Sequence, residues 1–265
     1  MRRTILIVAL LAGLLVPASA QAATQTASRG GVVATITYHG RYPLIKGLRI
    51  KITVGGKLGY EQAVDIKNCT PYCAPADLRG GSVKILDLEG DGRLEVVLEA
   101  TSAGAHCCFY DQVYTPGAGG GYSVTTRDFA NSGAALRDLS HDRRTEFVTA
   151  DNAFAYEFAD YAESGMPIEI LRFTGGGDVA GRFVDVTRHY PALIRRDARQ
   201  WWKAYEYDRY SGRRGLIAAW AADEYNLGRR AAANRTLSRE VRAHHISAHF
   251  AKRLRAFLKR QGYAR

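Results

Sequence analysis

The sequence predicts an α+β protein with an antiparallel β-rich N-terminal part followed by a helical C-terminal region. From Gly31 to about Thr187, short segments rich in β-branched residues alternate with glycine-containing turns. From Pro191 onward, longer stretches without glycine or proline carry apolar residues at helical spacing. The net charge of the chain also changes sign at the boundary between these two parts. Residues 188–265 hold 19 Lys and Arg against 6 Asp and Glu, a net of +13, whereas residues 23–187 hold 16 against 20, a net of −4.

The composition excludes several classes of protein. Hydrophobic residues make up 46% of the 265 residues, which is enough for a buried core and excludes wholesale disorder and collagen-like structure. Four cysteines are too few for a small cysteine-scaffolded protein. The sequence contains no Gly-x-Ser-x-Gly nucleophile turn, no His-Glu-x-x-His zinc motif and no Gly-x-x-x-x-Gly-Lys phosphate loop.

The first 22 residues have the pattern of a secretory signal peptide. Arg2 and Arg3 precede a nearly unbroken apolar run from Thr4 to Val16, and small residues at 18, 20 and 22 offer cleavage sites. The apolar run is short for a membrane-spanning helix. The sequence therefore predicts a signal peptide over residues 1–22 and a secreted, extracytoplasmic protein that does not span the membrane after cleavage.

The β-rich domain is predicted over residues 23–187. The clearest strand patterns are Val32–Tyr38, Leu48–Val54, Val83–Leu86 and Val96–Leu98. Glycine clusters at residues 117–121 and 175–177 indicate loops. Short strands separated by turns favour antiparallel pairing.

The basic α-helical region is predicted over residues 188–265. Pro191 suits the first turn of a helix that runs to about Arg209. A second helix is predicted from Gly215 to Leu227, and a third from Ser238 to Arg260. The positive charge of this region predicts an anionic partner, a cell-envelope polymer or lipid headgroups. Nucleic acid is not expected, because the predicted export separates the protein from it and because the excess of 29 Arg over 8 Lys in the whole chain indicates a genome-wide preference for arginine.

An acidic loop follows the third predicted strand. Asp87, Glu89, Asp91 and Glu95 stand at positions 1, 3, 5 and 9, and the main-chain carbonyl of Arg93 stands at position 7. Ca²⁺ prefers six to eight oxygen ligands, which alternate positions of a tight loop can supply. Position 12 lacks the glutamate of an EF-hand, so a short loop between strands is expected. The alternative is an ordinary polar turn, since Asp and Gly are common in turns.

The same pattern recurs 51 residues later. Asp138, Asp142 and Glu146 align with the first, fifth and ninth positions of the acidic loop. In the second copy the two glycines are replaced by His141 and Arg143. These changes favour an internal network of arginine and carboxylate over a metal ion. The sequence therefore predicts a repeated β unit in which only the first copy keeps an ion site.

The acidic loop with its following Val-Val strand resembles the FG-GAP/VCBS repeats of secreted bacterial and adhesion proteins. That resemblance implies that the acidic loop residues are calcium ligands and that the β part is built on two such units. Further segments are similar to a family of secreted bacterial proteins of unassigned function. They are GAHCCF at 104–109, FAY at 154–156, RFVDVT at 182–187 and AAWAAD at 218–223. The second resemblance covers most of residues 80–265 and implies no known chemistry.

The predicted export makes two disulfides the expected state of Cys69, Cys73, Cys107 and Cys108. Four cysteines allow three pairings. Two of the pairings link the 69–73 loop to the adjacent pair at 107–108, and the third makes two local bridges. Cross-linking is favoured, because a longer closed loop removes more conformational entropy from the unfolded chain.

The function predicted from these features is non-catalytic binding or interaction at the cell envelope, with calcium and disulfides as stabilisers. The alternative is a secreted hydrolase or redox-active enzyme. Such an enzyme would use His106 beside Cys107, or a pair of β-domain carboxylates. The candidate carboxylates are Asp151, Glu157, Asp160 and Glu163.

His245 and His249, four residues apart, are assigned to a solvated basic helix. Trp201 and Trp202 begin an aromatic run interleaved with basic residues, a combination that can stack on sugars or bases.

Overall fold

The structure is a computed structural model that describes residues 22–104, 107–207 and 213–264. Within them, three antiparallel sheets precede four α-helices. The predicted α+β class, with strands first and helices last, is confirmed.

The first sheet is a meander of four strands in sequence order. They are β1 (Ala23–Arg29), β2 (Val32–His39), β3 (Lys46–Val54) and β4 (Lys57–Ala63). Alternate residues of β2 and β3 are buried, as expected for a sheet that covers a core with one face. Ile36, Ile50 and Ile52 lie in that core and are almost fully buried.

The second sheet has five strands, and the third of them in chain order pairs with three others. Its strands are β5 (Ala74–Pro75), β6 (Val83–Leu86), β7 (Glu95–Gly104), β8 (Cys107–Pro116) and β9 (Tyr122–Ala130). The order is β5-β7-β8-β9, and β6 pairs with the first half of β7. The glycine cluster at 117–121 lies between β8 and β9, where the sequence predicts a loop.

The third sheet contains the second copy of the repeated unit. Its strands are β10 (Ala135–Arg137), β11 (Glu146–Ala150), β12 (Ile168–Thr174) and β13 (Arg182–Asp185), in that order. Phe147 and Phe173 of this sheet share a buried cluster with Val97 and Val113 of the second sheet. The two copies therefore pack on a common core.

The helical region contains four α-helices in its described part. They are α1 (Pro191–Tyr207), α2 (Arg213–Asn226), α3 (Arg230–Arg242) and α4 (Ala248–Arg260). The prediction of one helix from Ser238 to Arg260 is wrong. The chain breaks after α3, where His244 has φ of 59°, and Ser247 then caps α4 by accepting a hydrogen bond from the Phe250 N–H. His245 lies in this break beside Glu240, 2.8 Å from it, so His245 and His249 do not share a helix.

The helices do not form a core of their own. Phe154 and Phe158, which come from the connection between β11 and β12, pack edge-on against Phe257 of α4. Gly165 in the same connection passes so close to α2 that a Cβ there would lie 2.8 Å from the carbonyl oxygen of Gly215. Glycine is therefore required at this crossing. Among the described residues, no helix is long and apolar enough to cross a membrane.

Candidate functional site

The acidic loop between β6 and β7 is closed by hydrogen bonds of its own. The Asp87 carboxylate accepts hydrogen bonds from the backbone N–H groups of Asp91 and Gly92, at 3.0 and 2.9 Å. Asp91 accepts one from the Arg93 N–H at 3.0 Å. Gly90 and Gly92 have φ of 72° and 89°, a left-handed conformation that glycine adopts without strain.

The guanidinium of Arg93 lies between two of the predicted calcium ligands. It donates to Asp91 at 2.7 Å and to Glu89 at 3.0 Å. Burial acts to raise the pKa of Asp91, but the Arg93 backbone N–H and guanidinium outweigh it and lower that pKa. Across the described ranges 22–104, 107–207 and 213–264, no three His, Cys, Asp or Glu side chains are arranged to hold a metal ion. This arrangement of the loop suits a guanidinium better than a divalent cation.

Glu95, the ninth position of the loop, points into the protein. It is fully buried, and one of its carboxylate oxygens accepts a hydrogen bond from the Leu88 N–H at 3.0 Å. The other oxygen has no hydrogen-bond partner in the described part of the chain. Burial raises the pKa of Glu95 to about 7.

The second loop, between β10 and β11, repeats these contacts. Glu146 accepts a hydrogen bond from the Leu139 N–H at 3.0 Å, and Asp138 accepts one from the Arg143 N–H at 3.1 Å. The difference lies at the buried glutamate. Arg172 of β12, the cross-strand neighbour of Glu146, donates to its second carboxylate oxygen. An ion pair of arginine and carboxylate is thus present in the second copy, but its arginine is Arg172 of β12 and not Arg143 of the loop, from which the network was predicted.

The predicted cross-linking of the cysteines is wrong. Cys69 pairs with Cys73, and Cys107 pairs with Cys108. The sheet explains why. β5, which begins just after Cys73, lies on one side of β7, and β8, which holds the other pair, lies on the opposite side. Two strand spacings amount to about 10 Å, more than the 4.4–6.8 Å between Cα atoms that a disulfide needs. His106 lies outside the described residues.

A small acidic cleft lies between the third sheet and the helical region, with a volume of about 200 Å³. Asp151, Glu169 and Asp185 line it from the sheet side, and Tyr263 from the C-terminal side. The Tyr263 hydroxyl donates to Asp151 at 2.8 Å. Burial raises the pKa of Glu169 to about 7, and the charges of Asp151 and Asp185 add to the effect. Sequence reasoning missed Glu169 and Asp185.

The other predicted carboxylates do not line this cleft. Glu157 lies beside Arg253, 3.4 Å from it, and Asp160 precedes a 3₁₀ turn at residues 161–163. Only Asp151 of the four candidates is among the residues that line the cleft. The catalytic pair that the sequence suggested is therefore not assembled from those residues.

A larger groove lies between α1, α2 and α3, with a volume of about 680 Å³, a common size for a ligand site. Its lining from α1 follows the spacing of one helix face and is Arg195, Ala198, Arg199, Trp202 and Lys203. The remaining lining comes from α2, α3 and the turn between them: Trp220, Glu224, Arg229, Thr236 and Arg239. We call this the basic groove.

Five basic side chains and one acidic side chain line the basic groove. Arg229 pairs with Glu224 at 3.5 Å, and Arg239 pairs with Glu240 at 3.3 Å. Arg195 and Arg199 are exposed and have no hydrogen bond or ion pair with any described residue. The basic groove therefore has an excess of positive charge that no described residue neutralises.

Two tryptophans form an aromatic wall of the basic groove. The ring centroids of Trp202 and Trp220 are 4.8 Å apart, and the ring planes meet at 52°. The Trp202 Nε1–H donates to Glu206 at 2.8 Å, and both rings pack against the helical core. The rings are thus held in fixed positions. The sequence pointed to Trp202 through the aromatic run, but Trp220 is contributed by another helix.

Comparison with known proteins gives relatives but no family. No family model matches the sequence. An uncharacterized protein of Sinorhizobium fredii is 24% identical over 216 residues, which are 76% of this chain and 34% of that protein. A probable thylakoid lumen protein of Synechocystis is 37% identical over 97 residues, 36% of this chain and 29% of that protein. The chain thus spans about a third of the length of these curated relatives. The likeness to FG-GAP/VCBS repeats stays a resemblance carried by the acidic loop.

Proposed function

We propose that this protein is a non-catalytic binding protein that acts outside the cytoplasm and holds an anionic partner in the basic groove. The observation that carries the proposal is that five cations and one acid line the groove, and that Arg195 and Arg199 have no ion-pair partner among the described residues. Like charges held together repel, and an anionic ligand would relieve this repulsion. The leader pattern of residues 1–22 and the relative described as a probable thylakoid lumen protein support a location outside the cytoplasm.

Binding to anionic polymers and lipid surfaces is expected to depend on salt and on the basic groove. The full chain should bind polyphosphate or vesicles containing phosphatidylglycerol in 0.05 M NaCl, and lose most of that affinity in 0.5 M NaCl because exposed charges are screened. The double variant Arg195→Gln/Arg199→Gln should bind about tenfold more weakly. Equilibrium binding followed by fluorescence anisotropy or vesicle sedimentation measures both effects.

A matched control is Arg235→Gln/Arg242→Gln, which removes two exposed arginines of α3 that do not line the basic groove. Equal losses in the two double variants would mean that net charge alone drives binding. Retention that is the same in low and high salt would overturn the electrostatic proposal.

We propose further that Ca²⁺ stabilises the acidic loop, with Asp87, Glu89, Asp91, Glu95 and the Arg93 carbonyl as candidate ligands, and that the two disulfides stabilise the second sheet. Glu95 is buried and bonded to the Leu88 N–H, so it would have to turn outward to reach the ion. The guanidinium of Arg93 competes with the ion for Glu89 and Asp91. Calcium binding therefore requires this side chain to swing away while its carbonyl stays in the loop.

Millimolar CaCl₂ is expected to raise the midpoint of thermal unfolding relative to EDTA, because a ligand that binds only the folded state stabilises it. Arg93→Gln should increase the rise at a given calcium concentration, since it removes the competing cation. Arg79→Gln, at an exposed site outside the loop, is the control. No shift in either wild type or Arg93→Gln would mean that the loop is a turn closed by its own hydrogen bonds.

A further inference from the structure

The aromatic wall of the basic groove has no role in binding a simple anion. A phosphate or a lipid headgroup needs cations and hydrogen-bond donors, which Arg195, Arg199 and Lys203 supply. Trp202 and Trp220 add a rigid apolar surface in the same groove. Their presence indicates a ligand that carries both negative charge and a flat apolar face.

The shape of the surface favours a chain over a bilayer. The basic groove is open to solvent, and a shallower depression of about 600 Å³ continues it along α1. The two share Arg199 and Lys203, and the second adds Arg196 and Tyr207. From residue 195 to residue 207 the helix rises about 18 Å, long enough for several units of a polymer.

The chemistry of an acidic sugar matches both parts of the groove. A pyranose ring has a face formed by C–H groups, which packs on an indole ring, while a uronic acid carries its carboxylate at the ring edge. Guanidinium groups bind carboxylates through two parallel hydrogen bonds. The indole planes are inclined at 52°, so they do not offer the parallel platforms on which successive nucleic-acid bases would stack.

We infer that the basic groove binds an acidic glycan, with sugar rings against Trp202 and Trp220 and uronate carboxylates paired with Arg195 and Arg199. This inference rests on the proposed function, since it names the class of anionic partner. Binding of an acidic glycan requires the aromatic surface of the groove as well as its positive charge, whereas binding of a simple anion requires the charge alone.

The test uses the full chain and four probes of defined chemistry: tetragalacturonate, neutral galactotetraose, polyphosphate and single-stranded oligo-dT. Tetragalacturonate should bind best, and galactotetraose at least tenfold more weakly because it lacks the carboxylates. Trp220→Leu, which keeps an apolar side chain but removes the flat ring, should weaken tetragalacturonate binding about fivefold or more and leave polyphosphate binding unchanged. Arg199→Gln should weaken both about threefold, less than the double variant, whereas Arg235→Gln should change neither.

Each of the other possible binding results contradicts a different proposal. Polyphosphate binding as tight as that of tetragalacturonate, with no effect of Trp220→Leu on either, overturns the glycan inference and leaves the anionic-partner proposal in place. Tighter binding of oligo-dT that depends on Trp220 assigns the groove to nucleic acid instead. Binding of none of the anionic probes at low salt overturns both proposals. Because Trp220 packs on the core, the unfolding midpoint of each variant is measured. If Trp220→Leu does not fold, Trp202→Leu takes its place with the same expected results, because Trp202 forms the other half of the aromatic wall.

Discussion

Replacing Arg172 by methionine is expected to lower the free energy of unfolding by about 3–5 kcal/mol. Arg172 is the ion-pair partner of Glu146, whose side chain is 0% exposed. Without the guanidinium, Glu146 keeps hydrogen bonds from the Leu139 N–H and the Tyr190 hydroxyl but loses its positive partner. A carboxylate then remains buried without a compensating charge, which costs more than the loss of an exposed pair. Urea denaturation at pH 7 measures the effect.

A second substitution separates the charge from the loss of packing. Adding Glu146→Gln to Arg172→Met removes the uncompensated charge, so the double variant should regain much of the lost stability. Lys51→Met provides the comparison at the exposed pair of Lys51 with Glu61, which are 3.6 Å apart, and should cost less than about 1 kcal/mol. If Arg172→Met costs as little as Lys51→Met, the buried pair does not hold the second loop.

The internal repeat explains why this arginine matters. In the second sheet, Val96 of β7 pairs with Tyr114 of β8. One residue further along this ladder, Thr115 stands opposite Glu95 as Arg172 stands opposite Glu146. The hydroxyl oxygen of Thr115 and one carboxylate oxygen of Glu95 are both buried without a hydrogen-bond partner in the described ranges. The two copies share a backbone arrangement but neutralise their buried glutamate differently, one with an ion pair and the other through its raised pKa.

Local features of the fold could be predicted from the sequence because they depend on nearby residues. The strand Val32–Tyr38 and the helix start at Pro191 follow from β-branched runs and from proline chemistry, and both are found in the structure. The break after α3 was missed because apolar spacing appeared to continue across it. Its local signal is Ser247, which lies three residues before Phe250 and caps the next helix.

Features that depend on long-range pairing could not be predicted in this way. The disulfide pairing follows from the position of β7 between the two cysteine pairs, and chain-entropy arguments contain no such information. The acidic cleft brings together Asp151, Glu169 and Asp185 from three places on the third sheet. The basic groove adds Trp220 of α2 to the face of α1. For the groove, the helical spacing of Arg195, Arg199 and Trp202 is the one signal that the sequence offers.

Three buried carboxyl groups and the half-buried Glu169 produce a second large effect, on the pH dependence of stability. Burial raises the pKa of Glu95 and Glu169 to about 7, of Asp111 to about 8 and of Asp223 to about 10. In the unfolded chain these groups titrate near their ordinary pKa of about 4. Between these values the folded protein binds more protons than the unfolded chain, so the free energy of unfolding falls as pH rises.

The stabilising contribution of these protons is complete below about pH 4. It is lost as the pH rises toward 7 for Glu95 and Glu169, toward 8 for Asp111 and toward 10 for Asp223. Each group contributes about 1.4 kcal/mol per pH unit inside its window. The midpoint of thermal unfolding should therefore be at least about 10 °C higher at pH 5.5 than at pH 8.5, since each kcal/mol lost lowers it by about 2–4 °C in a protein of this size.

Asp223→Asn tests the largest of these contributions. Asp223 is fully buried, and its pKa is raised first by burial and then by the charge of Asp197. When protonated it donates a hydrogen bond to Asp197, which an asparagine amide can replace without ever ionising. The variant should therefore be close to wild type at pH 5.5 and more stable than wild type at pH 8.5, whereas Asp65→Asn, at an exposed site, should follow the wild-type profile. Differential scanning calorimetry across pH 5–9 decides the matter, and a wild-type midpoint that is flat or rises over this range would show that the buried carboxyl groups are ionised in the folded protein.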